Sequence, residues 1–268
     1  MFTNGTRLTQ ATVERLAELG NVAPMLSLEG TREMTDARRG DGVHDAVLGA
    51  MDLLGEYGVP FGYSATVTHK NWRALISPEF VDRLVAKGAR LGWHFLYMPI
   101  GRDPDLGLMP TPREREDFRL GMIELRATRP FFPVDFWGDA PWVGGCIAGR
   151  RYMHINSEGW VEPCIFTHFA TSNIRETSVL DAFNSPFFDE IRRRQPFNHN
   201  LFRPCMWLDN PNCSQTIMEA SGARPTHEGA DVMLTDLRED LESYSLKSGS
   251  ILDPAWEEAK RGGRIRTV

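Results

Sequence analysis

The sequence predicts an α/β fold in which a parallel sheet of βαβ units precedes a small cysteine-rich α+β extension. Over the first 140 residues, helical and strand patterns alternate, which is typical of parallel strands joined by right-handed crossovers. All four cysteines, in contrast, lie in the second half of the chain. The βαβ units are too few for a closed eight-stranded barrel, so an incomplete barrel is predicted.

Composition narrows the possible partners. A net charge of -6 over 268 residues favours neither a nucleic acid nor an anionic membrane as partner. No apolar run approaches the roughly 20 residues of a membrane span, and the first residues lack the apolar stretch of a signal peptide. We expect a cytoplasmic protein, in which cysteines serve metal binding or catalysis more often than disulfides.

Local start and stop signals mark the helices of the first half. Thr9 and Gly20 delimit the first, and apolar spacing predicts an amphipathic helix over 43–54. Further helices begin at Ser77-Pro78 and at the capping box formed by Thr111 and Glu114. The predicted strands are 23–28, 59–68, 93–100 and 131–137, and residues 2–6 read as the end of another strand.

The sequence changes character near Gly144. Residues 151–155 and 160–164 flank a turn that contains Gly159, a pattern that predicts a β-hairpin. One helix is expected over 178–194, another from Pro211 to Gly222, and the charged tail from residue 231 is expected to be mostly helical.

The cysteines are the candidate metal ligands. Cys146 precedes the first strand of the predicted hairpin and Cys164 ends the second, so the hairpin brings the two together. Cys205 lies in a proline-flanked loop, and Cys213 falls in the first turn of a helix. Four thiolates suit an iron–sulfur cluster or zinc, while four separate buried thiols are the alternative. His168 is a further candidate ligand, although an ordinary surface or core histidine is the simpler interpretation.

The cysteine frame, Cys146, twelve residues, Gly159, four residues, Cys164, resembles the start of a SPASM-type extension. Such extensions follow radical S-adenosylmethionine (SAM) enzymes and hold auxiliary 4Fe–4S clusters. The residues Thr3-Asn4-Gly5-Thr6, Ser27-Leu28-Glu29-Gly30, 64–71 and 97–101 are similar to strand ends of that superfamily's barrel. The resemblance implies three regions: barrel residues 1–143, a SPASM/twitch-like extension over 144–235, and a charged helical tail over 236–268.

The resemblance also implies site residues. Cys146, Cys164, Cys205 and Cys213 would hold one auxiliary 4Fe–4S cluster. The strand-end residues Ser27, Glu29, Asn71 and Met98 would contact SAM, although Ser27 and Asn71 are equally suited to capping or bending loops.

The sequence departs from the family in one respect. The superfamily's CxxxCxxC motif, which holds the catalytic cluster, does not occur among these residues. We therefore expect an N-terminally truncated radical SAM protein, inactive alone, that binds SAM only if its barrel is completed. A chain that supplies the missing segment is a candidate partner. The alternatives are a non-catalytic iron–sulfur or electron-transfer module, and a degenerate fragment with no cluster or with structural zinc.

Overall fold

The structure, a computed structural model, describes residues 1–263 as two compact units. The first comprises Met1–Tyr97 and Gly107–Phe136, and the second comprises Met98–Leu106 and the residues from Trp137 onward. Residues 264–268, the end of the predicted tail, lie outside the described residues.

The first unit is a five-stranded parallel sheet with helices in its crossovers, which confirms the predicted α/β class. The strand order is β1-β2-β3-β4-β5. In chain order the elements are β1 (Phe2–Thr3), α1 (Gln10–Leu19), β2 (Met25–Ser27), α2 (Arg32–Arg39), α3 (Val43–Glu56), β3 (Gly62–Val67), α4 (Trp72–Leu75), α5 (Pro78–Ala86), β4 (Leu91–Leu96), α6 (Pro112–Thr128) and β5 (Phe132–Asp135).

The sheet is strongly curled. Phe2 in β1 and Trp93 in β4 have ring centroids 5.8 Å apart, although two strands lie between them in the sheet order. In a flat sheet three strand spacings span about 14 Å. The curl therefore closes part of a barrel, with Phe2, Trp93 and Phe95 on its concave face.

The predicted helix caps are present. The side chains of Thr9, Ser77 and Thr111 each accept a backbone N–H in the first turn of α1, α5 and α6 respectively. Glu114 completes a capping box with Thr111. Strand β4 begins and ends earlier than predicted, because residues 97–100 leave the sheet after Leu96.

An aromatic core joins the sheet to its helices. The Tyr63 hydroxyl lies 2.9 Å from His94 Nε2, and His94 Nδ1 lies 3.0 Å from the Val134 carbonyl oxygen. The neutral ring satisfies both contacts when Nδ1 donates and Nε2 accepts. Phe80, Phe118 and Phe131 surround the pair. Burial lowers the pKa of His94 to about 4.

The second unit contains short strands and helices. Its elements are β6 (His154–Ile155), β7 (Val161–Glu162), β8 (Phe169–Ala170), α7 (Val179–Phe183), α8 (Pro186–Arg194), α9 (Pro211–Ser221), β9 (Arg224–Pro225) and α10 (Arg238–Arg261). Strands β6 and β7 form the predicted antiparallel hairpin, and β8 pairs with β9. Among the described residues, no helix is long and apolar enough to cross a membrane.

The single helix predicted over 178–194 is wrong, because the structure contains two. Helix α7 ends at Phe183, Ser185 caps α8 by accepting the Phe188 N–H, and Pro186 occupies the first turn of α8. Proline has no N–H to continue the preceding helix and disfavours a helical conformation at the residue before it. The Ser185-Pro186 pair therefore starts a new helix.

We expect His94 to make stability depend on pH. The folded state binds no proton at His94 between about pH 4 and pH 6.5, whereas the unfolded chain does, so the free energy of unfolding falls as the pH drops through this window. The loss should reach about 3 kcal/mol. Urea titrations at several pH values should show this loss in wild type and not in His94→Gln, which keeps a donor and an acceptor. Parallel pH profiles for the two proteins would contradict the expectation.

Candidate functional site

Three of the four cysteines have neighbouring thiols. Charge on Cys146 or Cys205 would raise the pKa of Cys164, and charge on Cys146 would raise that of Cys205. Burial is the largest cause in each case. It raises the pKa of Cys146 to about 11, that of Cys205 to about 12 and that of Cys164 well above its usual range. The three side chains therefore lie near one another and recessed from solvent; this group of three residues is called the cysteine pocket.

Each of the three sulfurs faces backbone N–H groups of its own turn. The N–H of Ala148 points at Cys146, that of Phe166 at Cys164, and those of Trp207 and Leu208 at Cys205. These N–H groups lower the thiol pKa because they stabilise the anion. Their effect is smaller than that of burial, so the pKa of each thiol remains raised; thiolate is the form that would bind a metal.

Hydrogen bonds tie the three cysteine turns together. The indole Nε1 of Trp207 donates to Thr167 Oγ1 at 2.8 Å, which connects the Cys205 and Cys164 turns. The N–H of Gly149 donates to the Pro163 carbonyl at 3.1 Å, which connects the Cys146 and Cys164 turns. The arrangement of the pocket is thus fixed by the protein itself.

Cys213 has different neighbours. It lies half-buried in the first turn of α9, and its pKa is raised by burial first, with opposing effects from Arg194 and Glu190 on α8. His168 is also engaged elsewhere, because its Nε2 lies 3.0 Å from the Ile165 carbonyl and its Nδ1 lies 2.7 Å from His227 Nε2. The contacts therefore group three of the four cysteines, and ligation by Cys146, Cys164, Cys205 and Cys213 stays a prediction.

The donor set fits a cluster better than a single ion. Within residues 1–263, no three His, Cys, Asp or Glu side chains are close enough to hold one metal ion. Tetrahedral zinc would need its sulfurs about 3.8 Å apart, given Zn–S bonds of about 2.3 Å. A four-iron cluster is larger than one ion, so its thiolate ligands can lie farther apart than those of zinc.

The β6–β7 hairpin carries Cys146 and Cys164 on its flanks. Gly159 has a φ of 89°, and an added Cβ would lie 2.7 Å from Asn173 Oδ1. Asn173 holds the turn from outside, because its Nδ2 donates to the Glu158 carbonyl at 3.1 Å. Glycine is required here both by the backbone conformation and by the close approach of Asn173.

The predicted strand-end residues of the first unit form a polar cluster. Glu29 is buried against Arg39, with Nε–Oε1 at 3.0 Å, and accepts the Thr66 N–H at 3.0 Å. The Asn71 amide donates to the Glu29 and Thr66 carbonyls at 3.0 and 2.9 Å and accepts the Thr68 N–H at 2.7 Å. These internal bonds use the amide fully, which favours the loop-bending alternative for Asn71.

A cleft of about 460 Å³ opens beside this cluster, at the carboxyl ends of β2 and β3. Ligands of parallel sheets bind at this end of the strands. Ser27 ends β2 opposite Ser64. Met98 is buried but belongs to the second unit. The cleft is lined by Glu29, Glu33, Met34, Ala37, Arg38, Thr68, Lys70, Asn71 and Leu108.

Sequence reasoning missed the polar residues that support the cysteine turns. Asp209 is buried, and its Oδ2 accepts the Cys205 N–H at 3.0 Å. The four-residue spacing from Cys205 to Asp209 is the signal that could have indicated this, because it places the carboxylate over the preceding turn. Thr167, the acceptor for Trp207, has no comparable local signal.

Comparison with known proteins agrees with this geometry. Residues 146–214 match the SPASM family, described as an iron–sulfur cluster-binding domain. The chain is 27% identical over 227 residues to an AdoMet-dependent heme synthase of Oleidesulfovibrio alaskensis, covering 73% of this chain and 57% of the relative. It is 25% identical over 195 residues to the sporulation killing factor maturation protein SkfB of Bacillus subtilis, covering 68% and 45%.

Solved structures show the same fold. Streptococcus suis SuiB bound to S-adenosylmethionine aligns with a TM-score of 0.61 and 19% identity, over 77% of this chain and 54% of SuiB. The enzyme anSMEcpe with bound AdoMet and a peptide aligns with a TM-score of 0.57 and 14% identity, over 82% and 72%.

The curled parallel sheet has the fold of radical SAM proteins, and the cysteines lie in a segment that matches an iron–sulfur cluster-binding domain. The chain is thus similar to radical SAM proteins that carry a SPASM domain. It spans 57% of the length of the heme synthase and 45% of that of SkfB.

We expect Gly159→Ala to destabilise the hairpin. The left-handed backbone alone should cost about 1–2 kcal/mol, and the approach to Asn173 Oδ1 should add to it. The control is Gly20→Ala, where φ is 63° but nothing lies within 4 Å of the added Cβ. Chemical denaturation should show a larger loss of unfolding free energy for Gly159→Ala. Equal losses of unfolding free energy would contradict this expectation, because they would show that the Asn173 side chain moves aside at no cost in stability.

Proposed function

We propose that this chain is a radical SAM protein that carries out a radical-based modification of an unidentified substrate. Its SPASM domain would hold one auxiliary 4Fe–4S cluster through Cys146, Cys164 and Cys205. The observation that carries this proposal is the convergence of the three cysteine turns, which the Gly149–Pro163 and Trp207–Thr167 hydrogen bonds join. The family match over residues 146–214 supports it independently.

Such a cluster supplies one-electron transfer or an iron site that binds substrate. The residues of this chain set its environment. N–H groups directed at the sulfurs stabilise thiolates, and burial keeps water from the ligands. Cys213 has Glu190 and Arg194 as neighbours instead of the other thiols, so it is less favoured as a ligand than those three cysteines.

We further propose that the cleft beside Glu29 forms part of a SAM site. Arg38 and Lys70 line it and bring positive charge suited to the SAM carboxylate, while Met34 and Leu108 offer apolar surface suited to the adenine ring. Ser27 and Asn71 border the same strand ends, and Met98 stays a predicted SAM contact. Binding in this cleft would orient SAM at the open end of the sheet.

The ligands of the catalytic cluster would come from outside these 268 residues, which contain no CxxxCxxC motif. We propose that a further segment or a partner chain supplies them and completes the barrel. A cytoplasmic location is consistent with four free thiols. Formation of 5′-deoxyadenosine from SAM under reducing conditions, only when that segment is added, would support the completed enzyme. An iron-loaded chain that never supports cleavage would favour the electron-transfer alternative.

Iron binding is the direct test of the auxiliary cluster. After anaerobic reconstitution with iron and sulfide, we expect about four irons per chain and a broad visible absorption band. Cys164→Ser should lose most of this iron, because it removes the thiol that lies near both Cys146 and Cys205.

The control is Cys213→Ser, which makes the same substitution at the half-buried thiol beside α8. We expect it to keep most of the iron. Loss of iron in both variants would assign Cys213 as the fourth ligand. No iron in the wild type, or zinc in its place, would overturn the cluster.

A further inference from the structure

The segment that carries Cys205 has little regular structure of its own. Residues 198–210 contain no helix or strand, so their backbone groups need other partners. Asn210 Nδ2 donates to the Arg203 and Cys205 carbonyls at 3.1 and 2.9 Å. Asp209 Oδ2 accepts the Cys205 N–H at 3.0 Å. The position of Cys205 therefore depends on where Asp209 and Arg203 are held.

Helix α10 holds both of these residues. The Ser245 hydroxyl donates to the Asp209 carbonyl oxygen at 2.6 Å. The Arg203 guanidinium pairs with Asp253 at 3.2 Å and donates to the Ser245 carbonyl at 3.1 Å. Asn200 Nδ2 also donates to Asp253 Oδ1 at 2.7 Å. The planar fork of arginine serves several acceptors at once, which a lysine could not do.

The buried face of α10 is shaped for this contact. Small residues, Ser245, Ser248 and Gly249, form a notch in the middle of the face. A Cβ added at Gly249 would lie 3.0 Å from Arg203 Nη1, so glycine leaves room for the guanidinium. Below the notch, Trp256 packs edge to face on Phe202 with ring centroids 5.1 Å apart. Apolar packing thus anchors the helix, and the notch directs its polar groups at the Cys205 segment.

We propose that α10 is a positioning element of the cluster site, in which Ser245 and Asp253 set the Cys205 turn through Asp209 and Arg203. This inference rests on the proposed function, because it concerns the ligands of the proposed cluster. It extends the cluster-holding domain beyond the SPASM match at residues 146–214 to the helix Arg238–Arg261. The described part of the charged tail predicted over 236–268 therefore contributes to that domain.

The test compares two serines on the same buried face of α10. Ser245→Ala removes the donor to Asp209, whereas in the described part of the chain the Ser248 hydroxyl has no hydrogen-bond partner. Both changes favour helix formation. In the reconstituted full chain, we expect Ser245→Ala to release iron to a chelator about 10-fold faster than wild type, and its reduced cluster to give an altered EPR spectrum. Ser248→Ala should match wild type in both.

A second variant separates positioning from helix stability. Gly249→Ala raises helix propensity but crowds Arg203. We expect faster iron release without a lower melting temperature of the iron-free chain.

The outcomes distinguish the two proposals. A wild type that binds no iron overturns the proposed cluster. If wild type binds iron and all three variants release it at the wild-type rate with the same EPR spectrum, the cluster stands and the role of α10 is wrong. A lower melting temperature with unchanged iron release and EPR would likewise show that α10 stabilises the fold without positioning Cys205.

Discussion

The pocket shared by Cys146, Cys164 and Cys205 is the constraint on which the second unit depends. A cluster held here would need three soft ligands that converge from distant points of the chain, each as a thiolate. Backbone N–H groups favour the anion at each sulfur, although burial has the larger effect and raises all three pKa values. The need for convergence explains the tight hairpin at Gly159, the Trp207–Thr167 bond and the support from α10.

The first unit meets a different constraint. Its sheet curls so far that Phe2 approaches Trp93, and the carboxyl ends of β2 and β3 present polar groups beside a cleft. The buried carboxylate of Glu29 requires compensation, which Arg39 and the Thr66 N–H supply. Many of the polar side chains at these strand ends are therefore occupied by hydrogen bonds within the protein. Other groups at the rim of the cleft, such as Lys70, are the ones available to a ligand.

The sequence predicts those parts of the fold that depend on local signals. Thr9, Ser77 and Thr111 mark helix starts because capping involves residues only three positions apart. The hairpin around Gly159 follows from the same kind of information. The start of α8 is also marked by adjacent residues, Ser185 and Pro186. The apolar spacing across 178–194 nevertheless favoured one continuous helix. The sequence did not indicate α2, whose eight residues are mostly charged or polar.

Long-range contacts account for what the sequence does not reveal about the site. Neither cysteine spacing nor periodicity distinguishes Cys205, which shares a pocket with two thiols, from Cys213, which lies beside α8. The same holds for Ser245, whose partner Asp209 is 36 positions away. Such pairs become visible only when the chain is folded.

The tight cysteine turns have a consequence for how the site gains and loses its metal. Their hydrogen bonds are made among the protein's own groups, so the conformational entropy of the ligands is lost when the chain folds. In zinc fingers, by contrast, metal binding and folding are one event. If the proposed cluster binds here, the protein's own hydrogen bonds have already restricted the three turns, so less conformational entropy is lost on binding and the bound cluster stabilises the domain by mass action.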